Sequence, residues 1–256
     1  MNRRIPMKNL FLLVSLISML LISACNQAQS DTFGYAESKE SIDNLPSLQS
    51  VSLSENNKQV IRETFDSVKE LQDRIRSGPN PDWVVKDEKV NISLSDYVLA
   101  KKNRDLIYAL NQVVEIPSDE ALLQDMVTKQ LTVNYAKQSG IVVTPEEVSE
   151  AVHFQKAALD EADPNDENHQ LIRYMMENRI RITSMTTEEF WNSDEVYEAY
   201  ETSLYISKFL QSILTDESMK GMDSYQQLQE KLFDDFQKAH TIKVPDFDVL
   251  FQEVDL

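Results

Sequence analysis

The chain has 256 residues, with 25 Lys and Arg against 43 Asp and Glu for a net charge of −18, and Cys25 is its single cysteine. So acidic a surface repels phosphate backbones and anionic headgroups, which argues against nucleic acid as a partner. One cysteine leaves no intrachain disulfide and no thiolate metal cluster, so the fold rests on its apolar core alone.

Residues 1–24 read as a signal peptide. Arg3, Arg4 and Lys8 give a basic start, and Leu10 to Ile22 form an apolar run interrupted only by Ser15 and Ser18. At about thirteen residues the run is short of the roughly twenty that a hydrocarbon core requires. A basic start, a short apolar centre and small residues at its end mark a cleaved signal. An uncleaved anchor, or an ordinary signal with a chance cysteine, is the competing reading. Arg3-Arg4 raises a twin-arginine route, but the strongly apolar run suits the general secretory route better. Ile22-Ser23-Ala24-Cys25 resembles the lipobox of bacterial lipoproteins. That resemblance implies a diacylglyceryl group on the Cys25 sulfur and cleavage before it, and two acyl chains are enough for stable anchoring. Cleavage removes three basic residues and no acidic one, leaving 22 against 43 and a net charge of −21.

Residues 25–53, rich in Ser, Asn, Gln, Asp and Glu and carrying Pro46, are expected to form a flexible tether. Residues 54–256 are the expected folded unit, all-α with a minor β element. Ile61, Phe65, Val68, Leu71 and Ile75 recur at spacings of three and four, predicting a helix that Gly78-Pro79 ends. After a turn at Pro79 to Pro81, Trp83-Val84-Val85 and Val90-Asn91-Ile92 predict a short strand or hairpin. Ser93 with Asp96 makes a capping box, and Leu99, Leu106, Leu110 and Val113 supply the buried face behind it.

Pro117-Ser118 opens the next helix, with Leu123, Val127, Leu131 and Tyr135 in one row and Gly140 as its end. Ile141-Val142-Val143 is an extended link. Thr144-Pro145-Glu146-Glu147 starts a helix striped by Val148, Val152 and Leu159, which Asp163-Pro164-Asn165-Asp166 breaks. A helix from Leu171 to Ile182 follows, then a capping signature at Thr186-Thr187-Glu188-Glu189. A long helix runs from about Asp194 to Leu214, and Lys220-Gly221 marks a bend. Tyr225, Leu228, Leu232 and Phe236 predict the last helix, and Ile242-Lys243-Val244 a terminal strand.

Several of these segments are similar to one family. Val90 to Asp96, Gln130 to Gly140, Ile141 to Val148 and Met185 to Trp191 resemble the N-terminal helical domain of the SurA and PrsA extracytoplasmic chaperones and foldases. The likeness spans about half the chain, from Trp83 to Leu214, and rests mostly on the wording of helix starts. Members with prolyl isomerase activity carry a glycine-rich parvulin domain of about ninety residues. Here Gly34, Gly78, Gly140 and Gly221 are the only glycines, and about forty residues follow Leu214. The resemblance therefore implies the helical chaperone module without the isomerase, in an extracytoplasmic, Gram-positive setting.

 Its partners would be the membrane, through the lipid on Cys25, and unfolded or partly folded exported proteins.

Chemistry-bearing residues are sparse. His153, His169 and His240 are the only histidines, and none has a serine or carboxylate beside it in a recognisable catalytic spacing. Asp160, Glu161, Asp163, Asp166 and Glu167 form an acidic run that lacks the glycine and distal glutamate of a calcium loop. Glu146-Glu147 and Glu188-Glu189 are explained as helix-start charges. The expectation is a non-enzymatic protein with no metal, no cofactor and no small-molecule substrate. Tyr174, Met175, Met176, Phe190 and Trp191 are the candidate client contacts, because methionine and aromatic side chains adapt to varied apolar partners. The same residues also suit an ordinary core. Beside the chaperone reading stands a scaffold lipoprotein that binds one specific partner. A promiscuous holder needs a wide exposed apolar groove, a scaffold one compact patch.

Overall fold

Six helix starts carry a Ser, Thr or Asp whose side chain accepts a hydrogen bond from the first turn, and these caps divide the chain into its elements. The structure is a computed structural model that describes Pro46, Leu48 and residues 51–78, 83–215 and 222–246. Its elements are α1 (Glu55–Ser77), the strands β1 (Trp83–Lys86) and β2 (Asn91–Ser93), then α2 (Leu94–Leu110), α3 (Asp119–Gln138) and α4 (Pro145–Asp160). After them come α5 (Glu167–Thr183), the short α6 (Thr187–Trp191), α7 (Asp194–Thr215) and α8 (Met222–Ala239). The fold is all-α with one small antiparallel hairpin.

The caps are Ser54, Ser93, Ser118, Thr144, Asp166 and Thr186. Ser93 with Asp96, Thr144 with Glu147 and Thr186 with Glu189 close full capping boxes, in which each side chain answers the other residue's main-chain N–H. Pro145 takes the first position of α4, where its missing N–H costs nothing.

Two helices end in the same way. After α3 the Ile141 N–H donates to the Ala136 carbonyl and the Gly140 N–H to that of Lys137, with Gly140 at φ 85°. After α2 the Val113 N–H donates to Tyr108 and the Gln112 N–H to Ala109, with Gln112 at φ 56°. Both are left-handed helix stops; glycine fits the position freely and glutamine does so under strain.

The core is one cluster running through every helix. α1 lies against α2 and α5, α3 against α7 and α8, and α4 against α7. Ile61, Phe65 and Val68 of α1 are fully buried, as are Leu122 and Val127 of α3. A smaller cluster of Ile75, Leu94 and Val98 seats the far end of α1 beside the hairpin. The hairpin pairs Val85 with Ile92 and Lys86 with Asn91. Its outer strand is tied to α3: the Asn91 N–H donates to Gln130 Oε1 at 2.7 Å, and Gln130 Nε2 donates to the Asn91 carbonyl at 2.9 Å.

Three expectations are corrected. The tether does not extend to residue 53, because Leu48 and Val51 are buried in the core, 4% and 7% exposed. Val113 is not on the buried face of α2, which stops at Leu110; the left-handed turn at Gln112 carries Val113 off the helix axis and leaves it exposed. Ile242 to Val244 form no strand. Ile242 and Val244 lean half-buried on the core, but no neighbouring strand offers that segment a ladder among the described residues. The signal peptide, Cys25, most of the tether, the Pro79 to Pro81 turn, the Lys220-Gly221 bend and the tail from 247 lie outside the described residues.

Candidate interaction surfaces

Four of the five residues expected to touch clients are packed inside, and the fifth, Tyr174, lies in a contact between two helices. Met175 and Met176 are 1% and 2% exposed, and Phe190 and Trp191 are buried with their rings edge to face at 6.0 Å. The reason is that α5 has partners on two sides, α1 and α6, so both of its apolar rows are covered. Tyr174 is half-buried and belongs to the α1–α5 contact: its hydroxyl accepts from Arg62 at 3.2 Å and lies 3.4 Å from the Lys58 carbonyl. One turn further along the same seam, Arg181 pairs with Asp66 at 2.7 Å. These side chains are core and are not a free surface.

The histidines serve local structure. His153 Nδ1 lies 3.2 Å from the Ser149 hydroxyl, which superficially pairs a nucleophile with a base. The same nitrogen is 2.7 Å from the Ser149 carbonyl, a contact that requires it to carry the proton. It therefore donates and does not activate the serine. His240 stacks on Phe236 at 4.3 Å. His169 sits beside its own helix cap, with Nδ1 3.8 Å from Asp166.

Within the acidic run from Asp160 to Glu167, Asp163 and Asp166 are spent on turn and cap bonds. Asp163 accepts from the Asn165 N–H at 2.9 Å, and Asp166 accepts from the N–H groups of Asn168 and His169. Among the described residues no group of three or more His, Cys, Asp or Glu is arranged to hold a metal ion. Glu147 completes the α4 capping box and also receives Lys208 of α7 at 2.6 Å, which holds its carboxyl below the usual carboxylate range. Glu188 is paired with Lys156 of α4, to similar effect.

The most buried charge is Arg104 on α2. Its guanidinium donates to Asp105, to the Ser118 carbonyl and, at 2.6 Å, to Asp119 at the start of α3; Lys101 reaches Asp119 as well, at 2.7 Å. Burial pushes the Asp119 carboxyl up, but the hydrogen bonds from Lys101 and Arg104 outweigh it and leave the group below its ordinary value. This clamp ties α2 to the start of α3, the two helices between which the segment from Asn111 to Pro117 has its ends. Between those ends Val113, Val114 and Ile116 are 39%, 92% and 43% exposed, three apolar side chains within four residues.

Sequence periodicity did not single out this loop. The available signal was three apolar residues between a helix end and Pro117, where polar residues usually sit. Other exposed apolar side chains are Trp83 on β1, Val142 between α3 and α4, Phe154 on α4, Met185 ahead of α6, Leu214 near the end of α7 and Met222 at the start of α8. No helix among the described residues is long and apolar enough to cross a membrane.

No family model, no curated protein and no solved structure matches the chain.

Proposed function

We propose that the chain is an exported lipoprotein, held outside the cell membrane by a lipid on Cys25, that transiently holds apolar segments of exported polypeptides. It works without covalent chemistry and without prolyl isomerase activity. The observation that supports this reading is local. Ser93, Thr144 and Thr186, the three helix starts through which the sequence resembles the SurA and PrsA helical module, each close a full capping box in one continuous helical unit. Client contact falls to side chains that are exposed, above all Phe154 at 61% and Met185 at 42%. They lie two and three residues in sequence from Lys156 and Glu188, which pair across α4 and α6. The acidic exterior keeps a loaded complex soluble.

The test is suppression of aggregation of a chemically unfolded enzyme by a soluble form spanning Asn26 to Leu256. Equimolar protection, reduced when Phe154 and Met185 are both changed to Ser in a still-folded variant, supports the reading. No protection at several-fold excess removes it.

A second reading is a scaffold lipoprotein that binds one specific envelope protein. Burial of Met175, Met176, Phe190 and Trp191 favours it, because it takes them out of any client groove and leaves Val113, Val114 and Ile116 gathered in one short loop. Absence of general protection together with one reproducible stoichiometric partner decides for the scaffold.

A further inference from the structure

We infer that the loop from Val113 to Ile116 is a membrane-contacting element, laid on the bilayer surface by the lipid anchor. This rests on the reading of Cys25 as the lipid attachment site. Three features of the fold carry it further.

The first is position. Val51 and Ser52, just after Leu48 where the chain from Cys25 joins the core, line the same cleft as Leu110, Asn111 and Gln112, from which the loop emerges. The Asn57 side chain fixes this entry by donating to the Ser52 carbonyl at 2.9 Å. The tether therefore leaves the domain at the pole where the loop is exposed. Twenty-two residues separate Cys25 from Leu48. A lipid on Cys25 thus connects to the domain at this pole.

The second feature is composition. Val113, Val114 and Ile116 carry no charge and stand out from a strongly acidic surface, with Val114 almost fully exposed. A bilayer interface buries such side chains without needing a shaped protein groove. Glu115 and the net negative charge oppose anionic headgroups, so contact is closer on phosphatidylcholine than on phosphatidylglycerol, and added salt narrows that difference.

The third feature is rigidity. The loop is held open at both ends, by the left-handed Gln112 on one side and by the Arg104–Asp119 clamp on the other. Backbone strain of this kind persists only where the surrounding structure enforces it. Here it keeps Val113 and Val114 from folding back onto α2.

The experiment exploits the single cysteine. In the lipidated full chain the Cys25 sulfur is consumed, so Val114→Cys supplies one free thiol for an environment-sensitive fluorophore. Val142→Cys gives the control: it lies beyond the other end of α3, whose 20 residues span about 30 Å. Both proteins are placed in phosphatidylcholine vesicles and in vesicles with brominated acyl chains. The expected result is a blue-shifted emission at position 114 that the bromines quench, and an unshifted, unquenched emission at 142. Water-like emission at 114 in protein that floats with the vesicles overturns the loop contact while leaving the anchor intact. Protein that neither floats nor carries lipid overturns the anchor reading and the inference with it. A blue shift that grows with concentration of a Cys25→Ser form in the absence of vesicles assigns the loop to a second copy of the chain and also overturns it.

Discussion

The side-chain amide of Gln130 pairs with both main-chain groups of Asn91, accepting at 2.7 Å and donating at 2.9 Å. A strand edge normally finds these two bonds in another strand; here a helix side chain provides them. Asn134, one turn on, donates to the Lys89 carbonyl at 2.7 Å and extends the seam. Gln130→Glu keeps the acceptor and loses the donor, so it should cost about 1 kcal/mol, and Gln130→Ala about twice that. Chemical denaturation measures both; equal stability of all three proteins would show that the seam contributes nothing.

Gly140 and Gln112 offer a matched pair of substitutions. A Cβ added at Gly140 meets nothing within 4 Å, so Gly140→Ala isolates the cost of its φ of +85°. That change should destabilise by about 1 kcal/mol, and Gln112→Gly should stabilise by a similar amount. Thermal unfolding of the two variants should move in opposite directions. Movement in the same direction would mean that Gln112 makes contacts worth more than its strain.

Arg104 has a side chain only 4% exposed, with Asp119 28% exposed beside it. Removing it as Arg104→Met leaves two carboxylates with Lys101 alone, and should cost about 2 kcal/mol near neutral pH, below the range for a wholly buried pair because Asp119 keeps some water. The sign of the pH dependence follows from the depressed Asp119 value. A carboxyl held below its unfolded value, near 4, stabilises above that value and loses the effect as pH falls through the folded one. The gap between wild type and variant should therefore be full at pH 7 and shrink below about pH 4. A gap that stays constant down to pH 3 would contradict the clamp.

Much of the architecture was legible because helix starts are written locally. Ser93-Asp96, Thr144-Glu147 and Thr186-Glu189 each need only four residues to declare a capping box, and each closes one. Solvent exposure is not local in that sense. Met175 and Met176 look the same in sequence whether they line a groove or a core; the outcome was set by α1, a hundred residues earlier in the chain, and by α6. Leu48 was hidden by the polar residues around it, and Val113 by a left-handed turn at a glutamine, where sequence alone suggests a glycine.

The core assignment of Met176 has its own test. Met176→Ala should lower stability by about 2–5 kcal/mol, the range for truncating a buried long side chain. Phe154→Ala, on an exposed aromatic, should stay within about 0.5 kcal/mol. If Met176→Ala is as mild as Phe154→Ala, the α5 face is open and the original client-contact assignment returns.

The proposed lipid on Cys25 would set both the placement of the domain and the membrane contact inferred for its loop, and the intact mass of the chain recovered from membranes of a bacterial host tests it most directly. The expected mass is that of a chain beginning at Cys25 with a diacylglyceryl group on its sulfur, and Cys25→Ser should shift the protein out of the detergent-rich phase. A mature chain that starts elsewhere, or that begins at Cys25 with a free thiol, would contradict the anchor.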